Sequence, residues 1–424
     1  PADAEESFDF GEVVEETDSS AASDDDFDFG DGATEDVSSG GSGRAFPLAG
    51  WVRVAASRQV DGDERWIDLG PAIGLRLDLS GVAGQLYGEG SLRMNFAYRL
   101  EGDPESVVQR HEFEPWLREL YWRRAFGPMT LTVGQVITTW GVTDLLPVID
   151  RLSITDQARA FFADPEDIYS GQLTVATDFY AGAHRWTLIV VPYPLFDRVR
   201  DGEHPYSVTP GERLDPEVPS WMPELAARYG VTIGAVSLGF AGGYVRNREP
   251  ILPATITNEG TPDLRREHRH YGFAGMTLTA AIAPVLLKLE VAVDIDRPVQ
   301  GATTELSSAP PRVNQLTAAA GLDVNLGRGG TLLFEGRGQF PFESDDRLAT
   351  NRPTWQAGVA WTASFFNDTL DLAMVLLMLD SYQNIVARAE VGYDITDAWR
   401  TSVRYTGFFI HENVETYGRL DRLD

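Results

Sequence analysis

The stretch "PVLLKLEVAVDIDRP" (284–298) decides the fold. Leu287, Leu289, Val291, Val293 and Ile295 fall on one parity, and Leu286, Lys288, Glu290, Ala292, Asp294 and Asp296 on the other. An alternation of period 2 is the signature of a β-strand with two unlike surroundings. One face is pure hydrocarbon and the other carries charge at nearly every step. Two solutions satisfy that pattern. In a soluble sheet the charged face looks to water and the apolar face to a core. In a barrel crossing a bilayer, the hydrocarbon meets lipid and the charges line a wet lumen. There a Lys or Arg on the lipid face near the midplane would cost roughly 2–4 kcal/mol.

The same period recurs from Phe46 onward. "LTAAAGLDVNL" (316–326), "WQAGVAWTASF" (355–365), "IVARAEVGYDI" (385–395) and "WRTSVRYTGF" (399–408) all alternate apolar with polar or small residues. Each run is about ten residues, the length a tilted strand needs to cross a bilayer. Very short turns, near 81–84, 126–128, 182–184, 283–284, 327–330, 366–368 and 396–398, alternate with longer links at 101–115, 142–170, 197–223, 247–269, 297–313 and 342–352. Segregated loop lengths mark a transmembrane barrel with short periplasmic turns and long extracellular loops. Aromatics near strand ends (Trp51, Trp66, Tyr98, Trp116, Trp122, Trp140, Trp186, Trp355, Trp399) fit girdles at the headgroup level.

Composition narrows the rest. The chain has no Cys, which excludes a disulfide framework and thiolate metal sites. The formal net charge is -29, and 15 of the 64 acids lie in residues 1–43, where there is no Lys or Arg. That balance disfavours nucleic acid. No apolar run approaches the roughly 18 residues of a membrane-spanning helix. Residues 1–43 read as a disordered acidic periplasmic tail. The tail repeats Phe-Asp-Phe-Gly in "SFDFGE" (7–12) and "DFDFGD" (26–31), with Phe8, Phe10, Phe27 and Phe29 as candidate anchors for a periplasmic partner. Residues 44–424 then form the barrel. About seventeen strands precede residue 412, so the expected architecture is all-β, an antiparallel transmembrane β-barrel of 18 strands, with 16 as the alternative. The last strand is expected to be incomplete by Asp424.

Parity assigns lumen-lining side chains to Arg76, Asp78, Glu89, Arg93, Arg99, Glu119, Arg123, Asp178, Lys288, Glu290, Asp294, Asp323, Glu335, Arg337, Arg388, Glu390, Asp394, Arg400 and Arg404. Mixed signs pair into bracing ladders, whereas the late Arg337, Arg388, Arg400 and Arg404 would guide an anion if left unpaired. The link at 144–170 has helical composition in "DQARAFFADPEDIY" (156–169). Folded inward it would make a constriction from Arg151, Asp156, Arg159, Asp164, Glu166 and Asp167; folded outward it is a surface loop.

"LTVGQVITTWGVTDLL" (131–146) is the most distinctive stretch. Through Gly134, Gln135, Trp140, Gly141 and Asp144, with Glu119 and Tyr121 just before, residues 116–196 resemble an uncharacterised family of Gram-negative outer-membrane β-barrels. Those barrels are often encoded beside RND-type exporters of lipids or other hydrophobic molecules. The stretch is more loosely similar to the alginate-export porin family. The acidic tail and the absence of a terminal aromatic depart from both.

The resemblance implies an outer-membrane channel with a periplasmic N-terminus, a conduit for a hydrophobic molecule, lipid or anionic polysaccharide. It would work with a periplasmic or inner-membrane transport protein. A different class of reading is a plugged docking barrel whose tail recruits a periplasmic partner. Enzymatic activity is not expected, since none of the six His falls mid-strand beside a lumenal Ser. No cofactor or metal site is expected, His268 and His270 reading as a solvated strand-end pair.

Overall fold

The computed structural model describes residues 47–410 except 61–63, 157–167, 199–221, 249, 252–253, 257–261, 265–266, 302–309, 344–351 and 380–383. The tail anchors Phe8, Phe10, Phe27 and Phe29 lie outside the described residues, as does the closing strand expected after residue 411.

Seventeen strands form one sheet. They are β1 (Leu48–Arg58), β2 (Trp66–Gly81), β3 (Gly84–Met94), β4 (Phe113–Phe126), β5 (Met129–Val136), β6 (Gln172–Ala181), β7 (His184–Val191), β8 (Glu224–Ile233) and β9 (Val236–Arg246). After these come β10 (His270–Ile282), β11 (Val285–Pro298), β12 (Arg312–Asn325), β13 (Thr331–Pro341), β14 (Thr354–Phe365), β15 (Leu370–Leu379), β16 (Asn384–Thr396) and β17 (Trp399–Ile410). Each pairs antiparallel with the next in sequence. Among the described residues no ladder joins β17 to β1. Tight turns and long links alternate as the sequence reading expects, the links 95–112, 137–171, 192–223 and 247–269 all leaving the same end of the sheet.

The sheet curls. β5 and β13 are eight strand spacings apart, about 38 Å if laid flat. Yet the chain from Val136 at the end of β5 to Asp144, bonded to Glu335 on β13, is only eight residues. Eight residues reach about 28 Å at full extension. The sheet must therefore bend toward the face that carries this link, which becomes the concave face.

Residues paired directly across an antiparallel ladder share a face. Lys288, Gly321, Glu335 and Gly358 pair in succession and so lie on the concave face. Burial is inverted relative to a soluble core. Glu290 and Asp294 are 0% exposed, while the opposite parity shows Val54 at 79%, Leu225 at 53% and Val403 at 75%. Water would penalise that apolar outer face, whereas a hydrocarbon solvent would not.

Three expectations need correction. Arg99 does not sit on a strand but on a short helix, α1 (Ala97–Leu100), and pairs with Glu112. Trp51 and Trp116 belong to the concave face, not to an outer girdle. The pairs Trp51–Gly74, Gly74–Ser91 and Ser91–Trp116 put them in a row beside Arg76 and Arg93. His268 and His270 are buried, not solvated, and His268 Nδ1 lies 2.7 Å from the Asn247 carbonyl.

Candidate functional site: a loop docked on the concave wall

The link 137–171 turns inward as soon as β5 ends. Glu119 of β4 accepts the Ile137 N–H at 2.8 Å and starts the turn. Next, the Asp150 carboxylate gathers the N–H groups of Trp140 and Gly141, the latter at 2.7 Å, closing 140–150 into a compact hoop. Gly141 leaves room for both carboxylates: a Cβ there would lie 2.9 Å from Glu290 Oε1 and 3.2 Å from Asp150 Oδ2, and the two side chains would have to shift.

Two wall carboxylates hold the hoop. Glu290 on β11 accepts five hydrogen bonds: Oε1 from Val142 N, Thr143 N and Thr143 Oγ1 at 2.6–2.7 Å, Oε2 from Val148 N and Ile149 N at 2.8 and 2.9 Å. Glu335 on β13 accepts the N–H groups of Asp144, Leu145 and Leu146 at 2.7–2.9 Å. Backbone donors with no secondary structure must find partners when buried, and charged acceptors are the strong ones. Arg337 returns a donor to the Pro147 carbonyl at 3.1 Å.

Ion pairs surround these contacts. Lys288, the only lysine in the chain, is 4% exposed and lies between Asp144 of the loop and Asp323 of β12, 2.7 Å from the latter. Asp294 receives Arg151 of the loop at 3.0 Å and Arg297 at 2.7 Å. Below the polar layer, Trp140, Val148, Ile149 and Leu152 pack on Ala176, Ile189, Ala226, Tyr271, Phe273, Ala292 and Ala319 of the wall. Burial pushes Asp150 up to about 6 against the pull of its two amide donors. Burial also raises Asp144, with Lys288 opposing it.

The other expected wall residues carry a different arrangement. Glu89 accepts from Arg118 at 2.8 Å and from the Tyr87 hydroxyl at 2.6 Å. Arg93 pairs with Asp68, Asp78 accepts from Gln85 at 3.1 Å, and Asp178 pairs with Arg185 at 3.0 Å. Arg123 donates to Thr132 Oγ1 at 3.2 Å. On β15–β17, Glu390 takes both Arg388 (3.1 Å) and Arg404 (2.8 Å), and Arg400 bridges Asp371 (2.7 Å) and Asp394 (3.5 Å). Arg388, Arg400 and Arg404 are therefore a paired, bracing ladder, while Arg337 serves the hoop.

Of the expected constriction residues, Arg151 is in the docked hoop's contacts, and Asp156, fully buried, faces Arg198 at 3.7 Å. Arg159, Asp164, Glu166 and Asp167 lie outside the described residues. Among the described residues the segment bonded to the wall is 140–150, upstream of the helical composition. Within the distinctive motif, Gly134 takes φ 143° in β5, the Gln135 side chain donates to the Leu117 carbonyl at 2.8 Å, and Trp140, Gly141 and Asp144 form the hoop. Asp150 and Arg248, which donates to the Arg151 carbonyl at 3.0 Å, carry no parity signal because neither sits in a periodic segment.

No family model and no curated protein matches the chain. Among solved structures, 85% of it aligns with a porin refined at 1.8 Å resolution (13% identity, TM-score 0.42, 99% of that chain). The same share aligns with an anion-selective porin from Comamonas acidovorans (9% identity, TM-score 0.42, 100% of that chain). The outer-membrane channel DcaP of Acinetobacter baumannii also aligns over 85% of the chain (9% identity, TM-score 0.42, 94% of that chain).

Proposed function

We propose that this chain is an outer-membrane β-barrel channel whose width is set by the 140–150 hoop. The observation that carries the reading is the inversion of the wall. Its convex face is hydrocarbon, while its concave face holds charged residues that anchor a loop inside. A barrel built that way offers a polar path through lipid. The hoop and its apolar underlayer occupy the sector from β6 to β13. The path then runs along the polar sectors of β1–β4 and β15–β17.

The cargo we favour is a hydrophobic molecule, a lipid or an anionic polysaccharide, passed on by a periplasmic or inner-membrane system, with residues 1–43 as the tether. The second reading is a plugged docking barrel. The apolar packing beneath the hoop favours it, because such packing holds the loop inside the lumen.

Planar-bilayer recording of the purified protein, with and without residues 1–43, separates the two. A channel gives steady, ohmic single-channel current in both forms. Silence in both forms supports the plugged barrel, and current only after truncation identifies the tail as the plug.

A further inference from the structure

The concave face of β1–β4 holds a surface that the loop contacts do not explain. Trp51 lies flat across the backbone of β2: a Cβ at Gly74 would meet its indole atoms at 2.2–2.6 Å. Only glycine permits that approach. The ring is nonetheless 42% exposed, and on a concave polar wall that exposure faces the path, not lipid. Arg53, two residues along β1, leans on the indole at 5.2 Å.

Two residues along β2 from Gly74, about 7 Å away, stands Arg76. Its guanidinium is held in place by stacking on Tyr87 at 5.4 Å, and Tyr87 stacks on Tyr121 at 5.1 Å. The nearest carboxylates are committed elsewhere, Glu89 to Arg118 and the Tyr87 hydroxyl, Asp78 to Gln85. Arg93, Arg118, Arg388, Arg400 and Arg404 on the same face all have carboxylate partners within ion-pair distance. Arg76 is exposed and stands directly opposite Glu89 in the ladder, but among the described residues it has no carboxylate within ion-pair distance. An exposed guanidinium whose neighbouring carboxylates are taken up by other donors keeps its own fork open to an anion.

We infer that Trp51 and Arg76 form a binding station for a six-membered ring bearing a carboxylate, the ring packed on the indole and the carboxylate on the guanidinium. An aromatic face takes a flat apolar surface and the fork of Arg takes a carboxylate in two parallel bonds. This rests on the channel reading for its purpose but not for its chemistry. Two sources share that chemistry, a hexuronate sugar and an aromatic acid.

The test is equilibrium binding to the full-length protein in detergent micelles, by ligand-observed NMR and calorimetry. Galacturonate and benzoate are the probes, with galactose and benzyl alcohol as uncharged counterparts. Wild type is expected to bind at least one acid more tightly than its uncharged counterpart, and Trp51→Ala and Arg76→Gln each weaken it roughly tenfold, the loss of one good contact. Gly74→Ala, which displaces the indole without deleting it, weakens the same ligand. Arg269→Gln, at the far rim and paired with Glu267, leaves binding unchanged. Galacturonate alone identifies a saccharide source, and benzoate alone an aromatic one.

Binding of neither acid by a folded wild type overturns the inference. So does undiminished binding by both Trp51→Ala and Arg76→Gln. Binding without bilayer current would sink the channel reading and leave the station standing. Current without binding would do the reverse.

Discussion

Glu290→Ala is expected to undock the hoop from the wall. The substitution strips the acceptor from five donors at once: the amides of Val142, Thr143, Val148 and Ile149 and the Thr143 hydroxyl. Each buried donor left without a partner costs about 1–3 kcal/mol. The hoop would not pay that sum in place; it would leave for the water of the lumen. Its docking is therefore expected to lose on the order of 3–5 kcal/mol, the cost of breaking a buried charged network. The strands themselves remain paired, because Glu290 contributes only its side chain to this contact. The expected readings are proteolytic cleavage within 137–156 of the folded protein and a larger, noisier single-channel conductance. Glu290→Gln, which keeps one acceptor oxygen, should fall between. A Glu290→Ala protein that resists protease and conducts like wild type would show that the hoop is held by other means.

Lys288→Met is the second large effect, and it works through charge. Lys288 is 4% exposed and Asp323 is 5% exposed, with Asp144 at 20% completing the triad. Removing the cation leaves two carboxylates facing each other in a poorly hydrated place. Breaking such a pair from one side typically costs about 3–5 kcal/mol. The unfolding midpoint of the purified barrel in denaturant should fall accordingly. Asp323→Asn placed on the same chain should recover much of the loss, since it removes one of the two stranded charges. If the double variant were no more stable than Lys288→Met alone, the triad would not be the source of the effect.

Much of this architecture was legible in the sequence, for identifiable reasons. Strand parity is local and repeats, so the row Lys288, Glu290 and Asp294 announces its face without any knowledge of its partners. The turn lengths announce the two ends of the sheet in the same way. What the row touches was not legible. Val142 and Glu290 are 148 residues apart, and no periodicity links an irregular hoop to a strand. The constriction was expected in the helical composition of 156–169, because regular spacing is the only signal a loop offers. The hoop at 140–150 has none; its order comes from Asp150, Glu290 and Glu335, which are wall or loop carboxylates reaching backbone amides.

Trp51 shows a different failure. Its place near a strand end suggested a lipid girdle, yet it shares parity with Arg53, and parity was the stronger signal. The register shift between Glu89 and Gly90 on β3 leaves Arg118 and Glu119 of β4 both reaching the concave face, which strict alternation would forbid. β-bulges of this kind re-aim one side chain and are not visible in a hydrophobic pattern.

The central claim is that residues 140–150 lie against the inner wall. The absence of cysteine from the chain makes a direct test available. A Cβ built at Gly358 on β14 lies 3.4 Å from the Leu145 Cβ in the hoop. Disulfides need Cβ atoms about 3.5–4.5 Å apart, a gap that a small shift of the hoop supplies. In the Leu145→Cys/Gly358→Cys protein, folded in the membrane and exposed to mild oxidant, the account predicts an intramolecular disulfide. Both thiols would be protected from alkylation and the peptides containing residues 145 and 358 would be joined. Two freely alkylated thiols in a folded barrel would place the hoop away from the wall and contradict the account.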